Sequence, residues 1–263
     1  MQTAQRELVQ ERAQVTRDRL LKAAIALFAE RGYDAIGTRE IEAEAGVNRG
    51  LITYHFGSKE ALWKAAIETL FDDQSEELAL AQQGADGLDP VDRLANVIRR
   101  FVEYSAHRPE LNRIMVQEGK HDDWRLAWIV DRHVKPYYAT TKRLHEAVVA
   151  AGIAPPMEHV HFHYVLVGAA ALMFAMAPEC RRLSGRDPSD PAMIAAHAEA
   201  LVRLLLPGAN DETRNVHARS KNADRAGGRR RADRSGRGRA GVADGHEDVP
   251  RSGRRSVATR TQR

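Results

Sequence analysis

Residues 38–62 read TREIEAEAGVNRGLITYHFGSKEAL, and they hold the clearest structural signal in the chain. Its pattern predicts two short helices, Thr38–Ala45 and Asn48–His55, separated by a tight turn that contains a glycine. Thr38 and Asn48 are the predicted N-caps, because their side-chain oxygens accept hydrogen bonds from the first turn of a helix. Two short helices joined in this way form a helix-turn-helix.

A preceding amphipathic helix completes a three-helix unit over residues 16–60. Its apolar side chains recur from Leu21 to Phe28 at helical spacing, with Thr16 as the predicted N-cap and Gly32 at the end. The helix-turn-helix offers apolar side chains that close a small core against this helix. They are Ile41, Ala45, Val47, Ile52 and Phe56.

The second short helix leaves a polar face that is thin enough to enter a DNA major groove about 12 Å wide. Arg49, near the start of the helix, is suited to guanine O6 and N7, and Leu51 is suited to a thymine methyl group. Other side chains flank this face, where they suit DNA phosphates. They are Thr38, Tyr54, His55 and Lys59.

Three strings in this stretch, residues 38–41, 45–47 and 54–62, resemble the DNA-binding domain of TetR-family transcriptional regulators. Many members of that family carry an aromatic pair before the histidine, whereas Thr53 precedes Tyr54 here, which leaves the operator sequence open. The resemblance implies base contacts from Arg39, Arg49, Gly50, Leu51 and Thr53, phosphate contacts from Thr38, Tyr54, His55 and Lys59, and Asn48 on the same surface.

The resemblance also implies an all-α homodimer that binds a pseudo-palindromic operator in double-stranded DNA and responds to a small-molecule effector. The predicted domains are an N-terminal arm (1–15), the helix-turn-helix domain (16–60), a C-terminal ligand-binding and dimerisation domain (61–207) and a tail (208–263). No cofactor is expected.

The composition of the 263 residues, 43% of them hydrophobic, is that of a globular protein with a sizeable core. The longest apolar run, Val165 to Ala177, is shorter than the roughly 20 residues of a membrane helix, and no signal-peptide pattern is present. Cys180 is the single cysteine, which excludes an internal disulfide and a cysteine-rich zinc site. We therefore expect a cytoplasmic protein without a membrane anchor.

The positive charge of the chain is concentrated in its tail. Residues 208–263 hold 15 Lys and Arg against 7 Asp and Glu, whereas the rest of the chain holds 25 against 29. The tail has no aromatic residue and is rich in Gly and Arg, so we expect it to be disordered. Two roles stay open for it, namely contact with nucleic-acid phosphates and simple solubilisation.

Six helices are predicted in the C-terminal domain, roughly over residues 60–83, 90–106, 109–118, 122–151, 157–180 and 188–206. The fourth is expected to form a pocket wall, because Trp124 and Trp128 share a face and Pro136 kinks the helix, freeing the carbonyl of Arg132. The alternative is that these side chains are ordinary core. The predicted ligand-binding residues are Trp124, Trp128, Asp131, Tyr138, Met173 and Phe174.

Two segments, residues 157–177 and 191–206, are the predicted dimer helices. The first contains the small-residue run 168–171, which allows close approach of another helix, and the second carries a stripe of Ala and Leu. They resemble the final helices through which the TetR family forms four-helix dimer interfaces.

These features predict a regulator, most simply a repressor that a small, partly apolar ligand releases from DNA. No catalytic motif is present. One alternative is a ligand-independent DNA-binding protein whose basic tail supplies the affinity. A distant alternative is a metal-dependent enzyme built around His121, His133, His159 and His163, although their spacing does not form a known metal motif.

Overall fold

The computed structural model describes residues 2–82 and 88–209, and every regular element in these ranges is helical. The helices are α1 (Gln2–Arg31), α2 (Thr38–Glu44), α3 (Leu51–Phe56), α4 (Lys59–Gln82), α5 (Pro90–His107), α6 (Pro109–Glu118), α7 (Trp124–Ile129), α8 (Lys135–Ala150), α9 (His159–Ala175), α10 (Ala177–Ser184) and α11 (Pro191–Leu205). A π-helical segment (Val130–Val134) joins α7 to α8, and a 3-10 turn (Pro207–Ala209) follows α11. The predicted all-α class is confirmed, and the predicted disordered tail lies outside the described residues from residue 210 onward.

Helix α1 begins much earlier than the sequence pattern indicates. Thr16 lies in the middle of the helix, where its hydroxyl donates to the carbonyl of Arg12 at 2.9 Å, so it is not an N-cap. The predicted N-terminal arm is therefore helical from Gln2. Residues 9–12 are exposed and contribute no buried apolar face, which explains why periodicity alone placed the start too late.

Two apolar clusters form the interior. The first surrounds Phe28, Ile41, Ile52 and Trp63 and extends to Ile114 of α6, so the three-helix unit packs directly on the helices that follow it. The second joins α5, α8, α9 and α11. The predicted small core of the helix-turn-helix is thus confirmed, as part of a larger cluster that continues along α4.

The helix predicted over residues 122–151 is interrupted just before Pro136, the residue at which the sequence predicts a kink. Pro136 lacks a backbone N–H, and the preceding turn widens into the π-helical segment, in which the N–H of Lys135 bonds to the carbonyl of Val130. This widening changes which side chains of α7 and α8 share a face.

The helix predicted over residues 157–180 is also two helices. α9 and α10 meet at Met176 with a bend of 77°, because Pro178 in the first turn of α10 cannot continue the hydrogen-bond ladder of α9. Within the described residues, no single helix is long and apolar enough to span a membrane. Among them, only the bent pair α9 and α10 has that length and apolar character when the two helices are taken together.

Candidate DNA-binding surface and ligand cavity

Helix α2 is capped by a different residue from the one predicted. Thr38 is its first residue, and Gly37 occupies the N-cap position. The N–H of Gly37 donates to the Glu40 carboxylate at 3.0 Å, and Glu40 also pairs with Arg31 of α1 at 2.9 Å. Helix α2 is therefore fixed to the end of α1 through its first turn.

Helix α3 begins at Leu51, three residues later than predicted, because Gly50 adopts a left-handed conformation with φ of 88°. Asn48 is exposed in the preceding turn and does not cap the helix. The buried carboxylate of Glu42 replaces it, accepting hydrogen bonds from the N–H groups of Gly50 at 2.8 Å and Ile52 at 3.1 Å. An acidic side chain from α2 thus holds the N-terminus of α3, where the helix dipole favours negative charge.

The surface around α3 is open to solvent, and we call its exposed residues the reading face. It comprises Arg39, Asn48, Arg49, Gly50, Thr53 and Tyr54. Tyr54 is 76% exposed and contacts His55 edge-on at 4.9 Å. Within the described residues, Arg39 and Arg49 form no ion pair, so both guanidinium groups are available to an incoming partner.

Two predicted DNA-contacting residues point at least partly inward instead. Leu51 is half-buried and packs against the first apolar cluster, so it offers little surface to a thymine methyl group. The ammonium of Lys59 donates to the carbonyl of Tyr33 at 2.7 Å and lies 4.0 Å from the centre of the Tyr33 ring. Burial lowers the pKa of Lys59. Lys59 therefore holds the turn after α1 in place, and its ammonium is not free to bind a phosphate.

The two tryptophans predicted to line a pocket lie instead where α7 packs on the DNA-binding unit. The ring of Trp63 in α4 lies 5.7 Å from both Trp124 and Trp128, and Tyr33 lies 6.0 Å on its other side. Lys64 approaches both α7 rings from solvent. We call this group of aromatic side chains the seam.

Arg125 extends the seam with charged contacts. Its guanidinium binds Glu118 at the end of α6 at 2.7 Å, Asp123 at 2.9 Å and Asp34 at 3.0 Å, and it lies 4.9 Å from the Tyr33 ring. Arg125 and Glu118 are both buried. One side chain therefore joins α6, α7 and the loop that follows α1.

A cavity of about 490 Å³ lies between α4, α5, α6, the α7–α8 segment and α9. Its wall is mainly apolar, with Phe71, Phe101, Leu111, Met115, Val134 and Leu172 among the side chains that form it. A volume of this size is typical of small-molecule sites.

None of the six predicted ligand-binding residues lines this cavity. Trp124 and Trp128 belong to the seam, Asp131 is exposed and paired with Lys135, and Tyr138 lies beside His159 at the edge of a separate groove. Phe174 is buried in the second apolar cluster with Met173 packed against that cluster. The opposite face of the same segment lines the cavity, through Leu126, Val130, Val134 and Tyr137.

The histidines of the π-helical segment, α8 and α9 contact aromatic rings and do not gather around a common point. His145 stacks on Phe162 at 4.1 Å, His133 stacks on Phe71 at 4.5 Å, and His159 lies 6.4 Å from His163. In the part of the chain that the structure describes, no group of three or more His, Cys, Asp or Glu side chains is placed to hold a metal ion.

Seven residues that organise these sites were not predicted from the sequence. Leu126, Val130 and Val134 form an apolar stripe that ends at Tyr137, and this stripe was a readable signal for the cavity wall. No local signal marks Glu42 or Arg125, because their partners lie eight or more residues away or in another helix. His163 was considered as a metal ligand or as an interface or surface residue, and not as part of a ligand cavity.

The short turn between α2 and α3, the exposed reading face and the packed helical body define a helix-turn-helix protein of the transcription-regulator class. Residues 20–66 match the family model described as bacterial regulatory proteins, tetR family. Residues 20–66 therefore form a DNA-binding domain of the tetR type.

Two relatives show how far the similarity extends. The HTH-type transcriptional repressor NicS of Pseudomonas putida is 31% identical over 121 residues, which cover 46% of this chain and 56% of NicS. The HTH-type transcriptional regulator UidR of Escherichia coli K12 is 27% identical over 147 residues, which cover 56% of this chain and 74% of UidR. The chain thus spans only just over half the length of NicS.

Solved structures share the fold. The ketosteroid transcriptional regulator KstR2 of Mycobacterium tuberculosis superposes with a TM-score of 0.58 at 21% identity, covering 73% of this chain and 93% of KstR2. HlyIIR, a hemolysin II transcriptional regulator, gives 0.53 at 20% identity, covering 72% and 97%. At this level of identity the similarity extends to the fold alone.

Proposed function

We propose that this chain is a homodimeric repressor that leaves a pseudo-palindromic operator when a small, partly apolar molecule occupies the cavity. The observation that carries the proposal is the position of the cavity, whose α6 and α7 walls run directly into the Arg125 contacts with the DNA-binding unit. Under this proposal α3 of each copy enters one of two successive major grooves, roughly 34–36 Å apart.

The reading face supports the DNA-binding part of the proposal. Arg49 and Thr53 are exposed at the start and on the outer side of α3, while Glu42 fixes the N-terminus of the helix from inside. Residues 1–60 hold 9 basic and 9 acidic side chains, so binding depends on a few directed contacts and little on overall charge.

Exposed apolar side chains on α9 and α11 support the homodimer. Tyr164 is 72% exposed, Leu172 56% and Leu204 65%, and Gly168 lies on the same side of α9 with no side chain to hinder approach. The exposed side of α11 carries Ala192, Ala196, Ala200 and Leu204 at every fourth position. Apolar surface of this kind is typical of a protein interface, and the small residues Gly168, Ala196 and Ala200 allow the same helices of a second copy to approach closely.

The Arg125 contacts suggest how the ligand acts on DNA binding. Met115, Val116 and Gly119 line the cavity on either side of Glu118, and Leu126 lines it next to Arg125. A ligand that displaces these residues changes the position of Arg125 and therefore of Asp34. Ligand and DNA then weaken each other by one common factor, as thermodynamic linkage requires.

Fluorescence anisotropy of the full chain with labelled DNA from the region flanking its own gene tests the proposal, at two salt concentrations and with random DNA as competitor. A tight complex that resists the competitor is expected. Weak binding with a steep salt dependence would contradict a sequence-specific regulator. A variant lacking residues 210–263 is the control: if its operator preference is lost, the alternative in which the basic tail supplies the affinity is correct.

A further inference from the structure

The cavity wall contains buried polar atoms without partners. The hydroxyl oxygen of Tyr137 and the Nδ1 atom of His163 are both buried, and neither has a hydrogen-bond partner among the described residues. The two rings lie 6.3 Å apart, centre to centre, so both groups serve the same part of the cavity. A buried polar group without a partner costs free energy, which a ligand atom that bonds to it recovers.

The charge of the wall is equally informative. Among the described residues, no Asp, Glu, Lys or Arg side chain lines the 490 Å³ cavity. Burial raises the pKa of Tyr137 and lowers the pKa of His163, and nearby His159 lowers the latter further, so both groups are uncharged at neutral pH. A buried ligand with a net charge would find no opposite charge here and would pay a large desolvation penalty.

We propose that the cavity takes an uncharged, largely apolar molecule with a hydroxyl or carbonyl oxygen, and that Tyr137 and His163 bind this oxygen. The inference rests on the proposed function, since it assigns the chemical class of the effector. The Tyr137 hydroxyl donates to the ligand oxygen, and the neutral imidazole of His163 accepts from a ligand hydroxyl or donates, according to its tautomer.

A neighbouring cavity of about 300 Å³ would suit a different class of ligand, one with a carboxylate. It shares Phe71, Gln74 and Tyr137 with the first cavity, and Arg132, which pairs with Glu68 at 3.2 Å, stands at its wall. A carboxylate ligand would have to reach this arginine. Because Arg132 is exposed and already paired, we place the ligand in the larger, uncharged cavity.

Isothermal calorimetry on the full chain without DNA tests the inference with two probes of one skeleton, 4-phenylphenol and biphenyl-4-carboxylate, at pH 7. The phenol is neutral and the carboxylate is charged under these conditions. We expect the phenol to bind at least about tenfold more tightly, the equivalent of about 1.4 kcal/mol. Equal or tighter binding of the carboxylate, above all if Arg132→Ala abolishes it, would overturn the inference, as would the absence of saturable phenol binding.

The variant Tyr137→Phe removes the hydroxyl and keeps the ring, and Tyr138→Phe, whose hydroxyl lies outside the cavity, is the matched control. Tyr137→Phe should weaken phenol binding about five- to tenfold. Its melting temperature without ligand should stay the same or rise, since a buried hydroxyl without a partner is lost. A melting temperature that falls, with phenol affinity unchanged, would assign Tyr137 a purely structural role and overturn the inference.

These measurements do not depend on DNA. If the carboxylate is preferred, the ligand class is wrong while ligand-controlled repression stands. If the phenol binds as expected but no operator is found by anisotropy, the proposed function fails while the ligand class stands.

Discussion

The reading face and the cavity differ in how their polar groups are satisfied. At α3, Glu42 accepts the hydrogen bonds of the helix N-terminus from the buried side, and the groups left free, such as the guanidinium of Arg49, are in water. In the cavity, the Tyr137 hydroxyl and His163 Nδ1 are buried without partners. The polar groups of the reading face are therefore satisfied without a ligand. In the cavity, a ligand that bonds to Tyr137 and His163 removes the cost of leaving them without partners.

This difference indicates a division of tasks along the molecule. The reading face presents polar groups to a partner from outside, and the cavity holds polar groups that a ligand would bond. Arg125 and the seam lie between the two, so under the proposed function they connect the cavity to the DNA-binding unit. Variants in each region and in this connection test the comparison.

The largest effect is expected from Arg125→Ala. Removal of the guanidinium leaves the buried Glu118 carboxylate without its partner, so the free energy of unfolding should fall by about 3–5 kcal/mol in urea denaturation. Arg132→Ala is the control, because its ion pair with Glu68 is exposed and should contribute less than about 1 kcal/mol. Equal losses for the two variants would show that the connection through Arg125 does not stabilise the fold.

Glu42→Ala should destabilise the chain by about 1–3 kcal/mol, because the N–H groups of Gly50 and Ile52 lose their acceptor. Urea denaturation followed by far-ultraviolet circular dichroism measures the loss. Glu44→Ala, at an exposed position in the same helix, should change stability little. If both variants behave alike, α3 does not depend on the buried carboxylate.

Arg49→Ala should weaken specific operator binding by about 1–3 kcal/mol and relax the preference at one base position, without loss of stability. Lys59→Ala should instead lower the melting temperature, because the Lys59 ammonium of the wild type donates a hydrogen bond to the Tyr33 carbonyl. Anisotropy with single-base operator variants, together with thermal denaturation, separates the two effects. An unchanged base preference in Arg49→Ala would place the reading face elsewhere.

Acid should also destabilise the fold around the cavity. Burial lowers the pKa values of His145, His159 and His163 from the ordinary 6.5, so the unfolded chain binds more protons than the folded chain at acidic pH. Stability should be full above about pH 6.5 and fall as the pH drops further, by at most about 1.4 kcal/mol per pH unit for each histidine. Melting curves between pH 7.5 and 5.5 measure this dependence.

The variant His145→Leu should flatten that dependence, because it replaces a buried imidazole whose two nitrogens lack partners. His121→Leu, at an exposed position, should leave the pH profile as it is. A wild-type profile in both variants would mean that other groups control the acid response.

Much of the DNA-binding unit could be predicted from the sequence because its signals are local. The apolar spacing of Ile41 and Ile52 and the glycine between α2 and α3 specified a helix-turn-helix, and the structure has one. The start of α3 was predicted too early, since the capping oxygen comes from Glu42 in the preceding helix and not from Asn48. A cap supplied from another helix leaves no mark near the residue that it caps.

The cavity side was predicted less well. Pro136 correctly indicated a break in the helix, but the pair Trp124 and Trp128 was assigned to the pocket, whereas both rings pack on Trp63. Helical spacing shows that two side chains share a face, and it does not show which neighbour that face meets. The wider turn of the π-helical segment rotates the chain less per residue and so shifts the face on which the following residues lie; Tyr137, and not Tyr138, lines the cavity.

Local signals in the sequence were enough to predict the helical class, the helix-turn-helix and the exposed candidates Arg39, Arg49 and Tyr54, because turns, caps and apolar periodicity act between residues a few positions apart. The packing of the helices established which face of the α7–α8 segment lines the cavity, that Arg125 joins Glu118 to Asp34, and that Lys59 turns inward. These outcomes depend on contacts between residues far apart in the chain. Their energies are settled when the helices pack, and no short stretch of sequence contains both partners.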